Sequence, residues 1–427
     1  MSSRPSTPTT TRRALHWLSA GLICLLLAGP AAAADWQGSM GQENGVTVVH
    51  NPATPAQGAK TLELKPTWTL GGETDDEDEF FGLIARIVAD DDGNLYVLDA
   101  QLNEVKLYSA DGEFIRSIGR EGEGPGEFRG ANGLFLLKDG TVAVAQLAPA
   151  KIVLLSPDGT PAGERPVPLP EGAGFAIIMG AMSSGDTETI VLAWNEFQEG
   201  KFTQHSSLVQ VDAEGKILHT FATGDRTMEF SNAIIDEKIW DAWQNRWGMF
   251  PDGRVVANES WGDYRLTVWT PDGKVDHVIT RDYKHRQRTA EEVARVSKIF
   301  EAFTRQVPNA KMEISDVDQD VFRVYPLDNG NLLINPSRGA MGLDDGVIGV
   351  FDLYDGQGRY QREITLKGKG NPRTDGYFFI GNRLYVVTDL LSAAMAAQGG
   401  GADDEALDDA EPMSIICYEL PADVLGG

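Results

Sequence analysis

Three arginines occupy the same place in a repeating pattern, and their type and spacing suit them to recognition chemistry. Arg86, Arg246 and Arg323 each lie seven residues before a turn glycine (Gly93, Gly253 and Gly330), in the strings RIVADDDG, RWGMFPDG and RVYPLDNG. Equal offsets within a structural repeat mean equal positions in space, so the three guanidinium groups are expected at one level around a shared axis. A guanidinium presents a rigid fork of donors that matches carboxylate, phosphate or sulfate. The chemistry to expect is therefore the holding of an anion, not bond breaking. A second expectation competes with it: each arginine pairs with a carboxylate of the neighbouring unit and ties the units together. The matching positions of the other units, Gly133, Ala181 and Thr374, carry no charge.

Other chemistry finds little support. Residues 35–427 hold five histidines (His50, His205, His219, His277 and His285) without an HxH or HExxH spacing, whereas zinc needs three or four such ligands around one ion. A GxSxG elbow is absent, and so is a Gly-rich phosphate loop ending in Lys-Ser/Thr. Residues 316–320 begin like a calcium loop, but Val321 stands where the turn glycine belongs and Leu327 where the closing Glu belongs. A calcium ion centred in a channel would need inward carboxylates and amides from several units. Asn132 and Asn245 are available donors that no pattern singles out, so no cofactor is expected, calcium being the one left open. Trp240, Trp243, Trp247, Trp261 and Trp269 are expected to pack between units, with a stacking surface for a ring-bearing ligand as the alternative.

The elements that must position these residues are legible in the stretch 90–128, DDDGNLYVLDAQLNEVKLYSADGEFIRSIGREGEGPGEF. Short runs rich in β-branched and aromatic residues alternate with Asp-Gly turns, which is the sequence form of antiparallel strands joined by hairpins. The unit recurs: KDG before TVAVAQ, PDG before RVVANE, DNG before NLLINP, and looser copies around TIVLAW and NRLYVV, six in all. Repeats of forty residues or more, with four strands each, predict an all-β, six-bladed β-propeller with four-stranded antiparallel blades. Residues 61–71 resemble the fourth strand of the other units, and the last unit lacks one. An N-terminal strand is therefore expected to close the last blade. Thr289 and Glu292 have capping-box spacing ahead of apolar positions at helical spacing, which predicts one helix over 289–305 inside an insertion of about 284–316. That helix is expected either to lid a channel mouth or to pack on a blade edge.

GNLYVLDAQLNEVKLYSADGEFIRSIG followed by GREGEGPGEF resembles the NHL-repeat class of six-bladed β-propellers, and also exported bacterial propellers of that type. The resemblance is specific in the first unit and diffuse in the rest. It implies the fold, and it implies no particular reaction, because one propeller scaffold hosts enzymes, binders and scaffolds alike.

Residues 1–34 read as a secretory signal: Arg12-Arg13, an apolar run to Leu27, and Ala32-Ala33-Ala34 before Asp35. The expected layout is then a lead-in over 35–60, the propeller over 61–421 with an acidic Gly-rich loop at 393–412, and a tail over 422–427. Cys417 is the only cysteine outside the signal, so no internal disulfide is expected. Residues 1–34 carry three arginines and no acid, which takes the net charge from −26 to −29 for the remainder. Such a surface argues against nucleic acid as a partner, and no later run predicts a membrane span. The protein is expected to be an exported, monomeric, non-catalytic propeller that binds a ligand, anionic in the arginine reading, or a protein at one channel mouth. A metal-dependent hydrolase or lyase with its site in the channel is the alternative, and an envelope scaffold is the third reading.

Overall fold

The computed structural model describes residues 35–170, 173–184, 187–240, 246–304, 307, 310–397 and 412–426. Residues 1–34, read above as a signal, Trp243, Asn245 and most of the stretch 393–412 fall outside these residues.

The turn of 90–94 shows how the repeat is built. Gly93 N–H donates to Asp90 C=O at 3.0 Å, and Asp90 N–H donates to Asn94 C=O at 3.0 Å. The Asp90 carboxylate accepts from the N–H groups of Asp92 (3.0 Å) and Asn94 (2.8 Å). Gly93 adopts φ 82°, a left-handed conformation that glycine reaches without a Cβ penalty. The same pair of backbone bonds recurs at Gly112, Gly140, Gly159, Gly215, Gly253, Gly273, Gly330 and Gly358.

These turns join strands into six sheets around one ring. Blade one comprises Ile84–Ala89, Leu95–Asp99, Glu104–Tyr108 and Phe114–Ile118, each antiparallel to the next. Blades two to five occupy 131–166, 177–229, 247–281 and 321–367, and blade six runs over 376–419. Strand alternation then sends successive side chains to opposite neighbours. Leu95 and Val97 pack with Tyr385, Val387 and Ile415 of blade six. Tyr96 and Leu98 pack with Leu134, Val142 and Val144 of blade two. Each of the six blade-to-blade seams holds one such apolar cluster. The core is therefore divided among the seams, and no blade can keep its faces dry alone.

The N-terminal lead-in is structured. Strands β1 (Ser39–Glu43) and β2 (Val46–Asn51) form a hairpin whose second strand runs parallel to Val275–Arg281 of blade four. Strand β3 (Ala59–Glu63) runs parallel to Tyr360–Lys367 of blade five. Strand β4 (Pro66–Gly71) pairs antiparallel with Ser414–Glu419 and supplies the fourth strand of blade six. The closing strand is thus 66–71, not 61–71, because β3 ends at Glu63 on blade five and Leu64 and Lys65 carry the chain to the next blade. Asn51 staples this belt: its side chain donates to Thr280 C=O (3.0 Å) and Gly358 C=O (2.9 Å), and accepts from Tyr360 N–H (2.7 Å).

The insertion between blades four and five carries helix α1 (Ala290–Thr304). Its capping box forms as the sequence predicts: Thr289 Oγ1 accepts from Glu292 N–H (3.2 Å) and Glu292 Oε2 from Thr289 N–H (2.8 Å). Arg286 pairs with Glu292 and Asp318, and Arg288 pairs with Glu237 and Asp318, which clamps the base of α1 to the connections flanking blade four. A second, shorter helix, α2 (Leu390–Ala397), opens the segment read from sequence as a loop.

Hydrogen bonding from Arg286, with Thr289 N–H adding to it against the cost of burial, pushes the Glu292 carboxyl down to about 2 from 4.5. A depressed folded pKa stabilises above the unfolded value, and that contribution is lost as the pH falls through the folded one. Amide-exchange protection of α1 is expected to drop between pH 4.5 and 2, and Glu292→Gln should lower it already at pH 6. Equal protection in both proteins at pH 6 would remove this role from Glu292.

Candidate functional site

The inner strands enclose a channel cavity of about 570 Å³. Arg86 and Arg323 both line it, each at the third position of its inner strand (Ile84–Ala89 and Val321–Pro326). A register shift precedes each: pairing passes from Ile84↔Asp99 to Arg86↔Leu98, and from Val321↔Pro336 to Arg323↔Asn335. The extra residue of a bulge re-aims the side chain that follows. Blades two and three have the same shift and place Gly133 and Gly180 at its exit, so the blade-three counterpart is Gly180 and not Ala181.

Arg246 departs from this placement. Its carbonyl accepts from Asn258 N–H at 2.9 Å, the register that Arg323 shares with Asn335. Its side chain, however, is buried within blade four, where Nε donates to Asn258 Oδ1 at 2.8 Å and Nη2 to Ser260 C=O at 3.4 Å. Asn335 spends its amide hydrogens as Asn258 does, on two backbone carbonyls (Gly339 at 3.0 Å and Val350 at 2.9 Å), yet Arg323 makes no hydrogen bond to its oxygen among the described residues. Equal offsets thus gave equal backbone register and unequal side-chain placement. The expected triad of Arg86, Arg246 and Arg323 becomes a pair in the channel.

The pair is held by aromatic rings. The Arg86 guanidinium lies 5.8 Å from the Phe378 ring centroid, and that of Arg323 lies 5.2 Å from that of Phe322. Neither forms an ion pair or a hydrogen bond among the described residues, and Nε of Arg86 is buried without a partner. Burial pushes the Arg86 pKa below the ordinary arginine value. Bringing a cation into a partly desolvated site without a counter-charge is costly, and a bound anion would offset that cost.

Two carboxylates border the same cavity. Asp328 Oδ2 accepts from Gly381 N–H at 2.6 Å. Asp375 accepts from Asn371 N–H (2.7 Å), Asp389 N–H (3.0 Å) and the Thr374 hydroxyl (3.0 Å), and burial pushes its pKa up. Asp375 also borders a second, polar cavity of about 550 Å³ beside blade six, together with Glu73, Lys369 and Ser414. Among the described residues, no group of three or more His, Cys, Asp or Glu side chains is placed to hold a metal ion. Asn132 donates to Ile178 C=O.

Inter-blade ties of the kind weighed for the three arginines do occur, at residues that sequence reasoning missed. Arg281 of blade four pairs with Asp352 of blade five, stacks over Tyr360 at 4.2 Å, and donates to Ala53 C=O at 3.0 Å. Tyr264 and Tyr360 each donate to Asp352 at 2.7 Å. Burial opposes the Arg281 charge, and Asp352 with the surrounding tyrosines more than offsets it, raising the pKa. The tryptophans divide: Trp269 and Trp247 pack in the seam between blades three and four, Trp240 stacks on Phe202, and Trp261 lies under Arg288. Trp247 also borders the channel, a contact that strict alternation from Arg246 does not supply.

The ring of six four-stranded units around a lined channel makes this chain a six-bladed β-propeller. A family model described as a 6-bladed beta-propeller matches residues 72–236, which cover blades one to three. Among solved structures, the chain is similar to a Bacteroides fragilis protein designated as exported, at 14% identity over 84% of this chain and 99% of that chain, with a TM-score of 0.44. It is also similar to a Bacteroides vulgatus protein (11% identity, 83% and 97% covered, TM-score 0.46). A third is the calcium-binding protein regucalcin of Agrobacterium tumefaciens (12% identity, 85% and 97% covered, TM-score 0.42). These likenesses are of fold alone. No curated protein sequence matches the chain. Among the described residues, no helix is long and apolar enough to cross a membrane.

Proposed function

We propose that this chain is an exported binding propeller whose channel holds an anion between Arg86 and Arg323, without catalysis of its own. The observation that carries this reading is a pair of guanidinium groups lining one cavity, neither of them paired among the described residues of a strongly acidic chain. Export rests on the signal-like residues 1–34.

The test is a melting series of the purified protein with sulfate, citrate and a monocarboxylate. At least one of these anions should raise the wild-type melting temperature with rising concentration. A ligand at a hundred times its Kd contributes about 2.7 kcal/mol. Arg86→Met and Arg323→Met should lose that gain while melting close to wild type without anion, since neither substitution strands a carboxylate. The proposal fails if no anion stabilises the wild type, or if the gain survives both substitutions.

A further inference from the structure

The two channel arginines are gathered on one side. Blades five, six and one are consecutive in the closed ring, so Arg323 and Arg86 flank the inner strand of blade six, Gly376–Ile380, and Phe378 of that strand faces Arg86. Blades two, three and four form the opposite arc. That arc lines the cavity with the half-buried Leu136, Met182 and Met249, beside Leu134, Phe135, Trp247 and Phe250, which are already packed in the seams, and it contributes no charged side chain among the described residues. The cavity therefore has both arginines on one side and an uncharged side opposite them.

Its carboxylates lie away from the waist. Asp375 immediately precedes the inner strand of blade six, and Asp328 follows the inner strand of blade five, so the two stand at opposite ends of strands that run in the same sense around the axis. The arginines sit between those ends.

On the anion-binding reading, we propose that the ligand is an amphipathic monoanion: one carboxylate or sulfonate head on a hydrocarbon body. Arg86 and Arg323 take the head, and the body lies against the opposite arc. A small inorganic anion would satisfy the arginines and leave Leu136, Met182 and Met249 partly facing water, whereas an apolar body covers them and gains from the burial. A polyanion would bring its further charges toward Asp328 or Asp375, where like charges repel. A cavity of about 570 Å³ has the size of a small-molecule site.

The experiment is titration calorimetry of the purified protein with octanoate, acetate, 1-octanol and sulfate. It is repeated on the Arg86→Met/Arg323→Met double variant and on Met182→Gln. Octanoate should bind wild type about 200-fold more tightly than acetate, the equivalent of burying about four methylenes. It should also bind more tightly than octanol and lose that advantage in the double variant. Met182→Gln should weaken octanoate and leave acetate unchanged. Sulfate or acetate binding as well as octanoate overturns the amphipathic ligand and leaves the anion site standing. Octanol matching octanoate, or no binding by any of the four, overturns both.

Discussion

Removal of residues 60–72 is expected to abolish the single cooperative unfolding transition and to leave an aggregating protein. The deletion takes away β4, which pairs with Ser414–Glu419 and is the N-terminal strand of blade six among the described residues, together with all of β3 but Ala59. It strips Leu70 and Trp68 from the seam between blades six and one, and Trp68 also donates to Ala110 C=O of blade one at 3.2 Å. Burying a large apolar side chain contributes roughly 1.5–3 kcal/mol, so these two alone account for about 3–6 kcal/mol. That is comparable with the whole stability of a typical domain, about 5–15 kcal/mol. The deletion also bares the edge of Ser414–Glu419, a template for pairing with other chains. Removal of residues 35–45 is the control: it takes β1 from the outside of blade four and leaves the ring closed. Light scattering and a thermal melt distinguish the cases. A 60–72 deletion that stayed monomeric and melted with the parent would show that the ring does not depend on its closing strand.

The ring was legible in the sequence because its causes are local. Asp90, Gly93 and Asn94 make their turn from their own backbone and side chains. Leu95 to Leu98 alternate between two seams because a strand must. The capping box at Thr289 and Glu292 is a contact between residues three apart. The path of β1 to β3 was hidden, because parallel addition to a distant blade leaves no mark at short range.

The site was legible only as far as register. Repeat spacing placed Arg86, Arg246 and Arg323 at one backbone level, and the strands keep that level. What spacing does not encode is the fate of a long, flexible side chain. Arg246 lies within blade four on the Asn258 oxygen, while Arg323, facing the equivalent Asn335, lines the channel. The Phe378 ring under Arg86 belongs to a blade whose turn is of a different length, so offset counting from glycines passes over it. An inspection of every aromatic residue on the inner strands would have found it.

Arg281→Met is expected to destabilise the protein by about 3–5 kcal/mol, the cost of leaving a buried partner charge uncompensated. Asp352 is 1% exposed, and besides Arg281 it has only the hydroxyls of Tyr264 and Tyr360 as side-chain donors in the described structure. Those phenols can solvate the carboxylate but cannot neutralise it. The pair spans the seam between blades four and five, and Arg281 also holds Ala53 of the belt, so its loss should loosen both. Arg265→Met provides the comparison. Arg265 pairs with Glu43 at 3.0 Å in an exposed setting, 35% and 48% accessible, where such a pair contributes less than about 1 kcal/mol. Urea unfolding of the two variants separates a buried tie from a surface pair. A third variant, Arg281→Met with Asp352→Leu, removes both charges and should recover a large part of the loss, because the penalty lies in the stranded carboxylate and not in the missing attraction. If Arg281→Met unfolded within about 1 kcal/mol of wild type, Asp352 would have to be neutral in the folded protein, and the seam would be held by its apolar cluster alone.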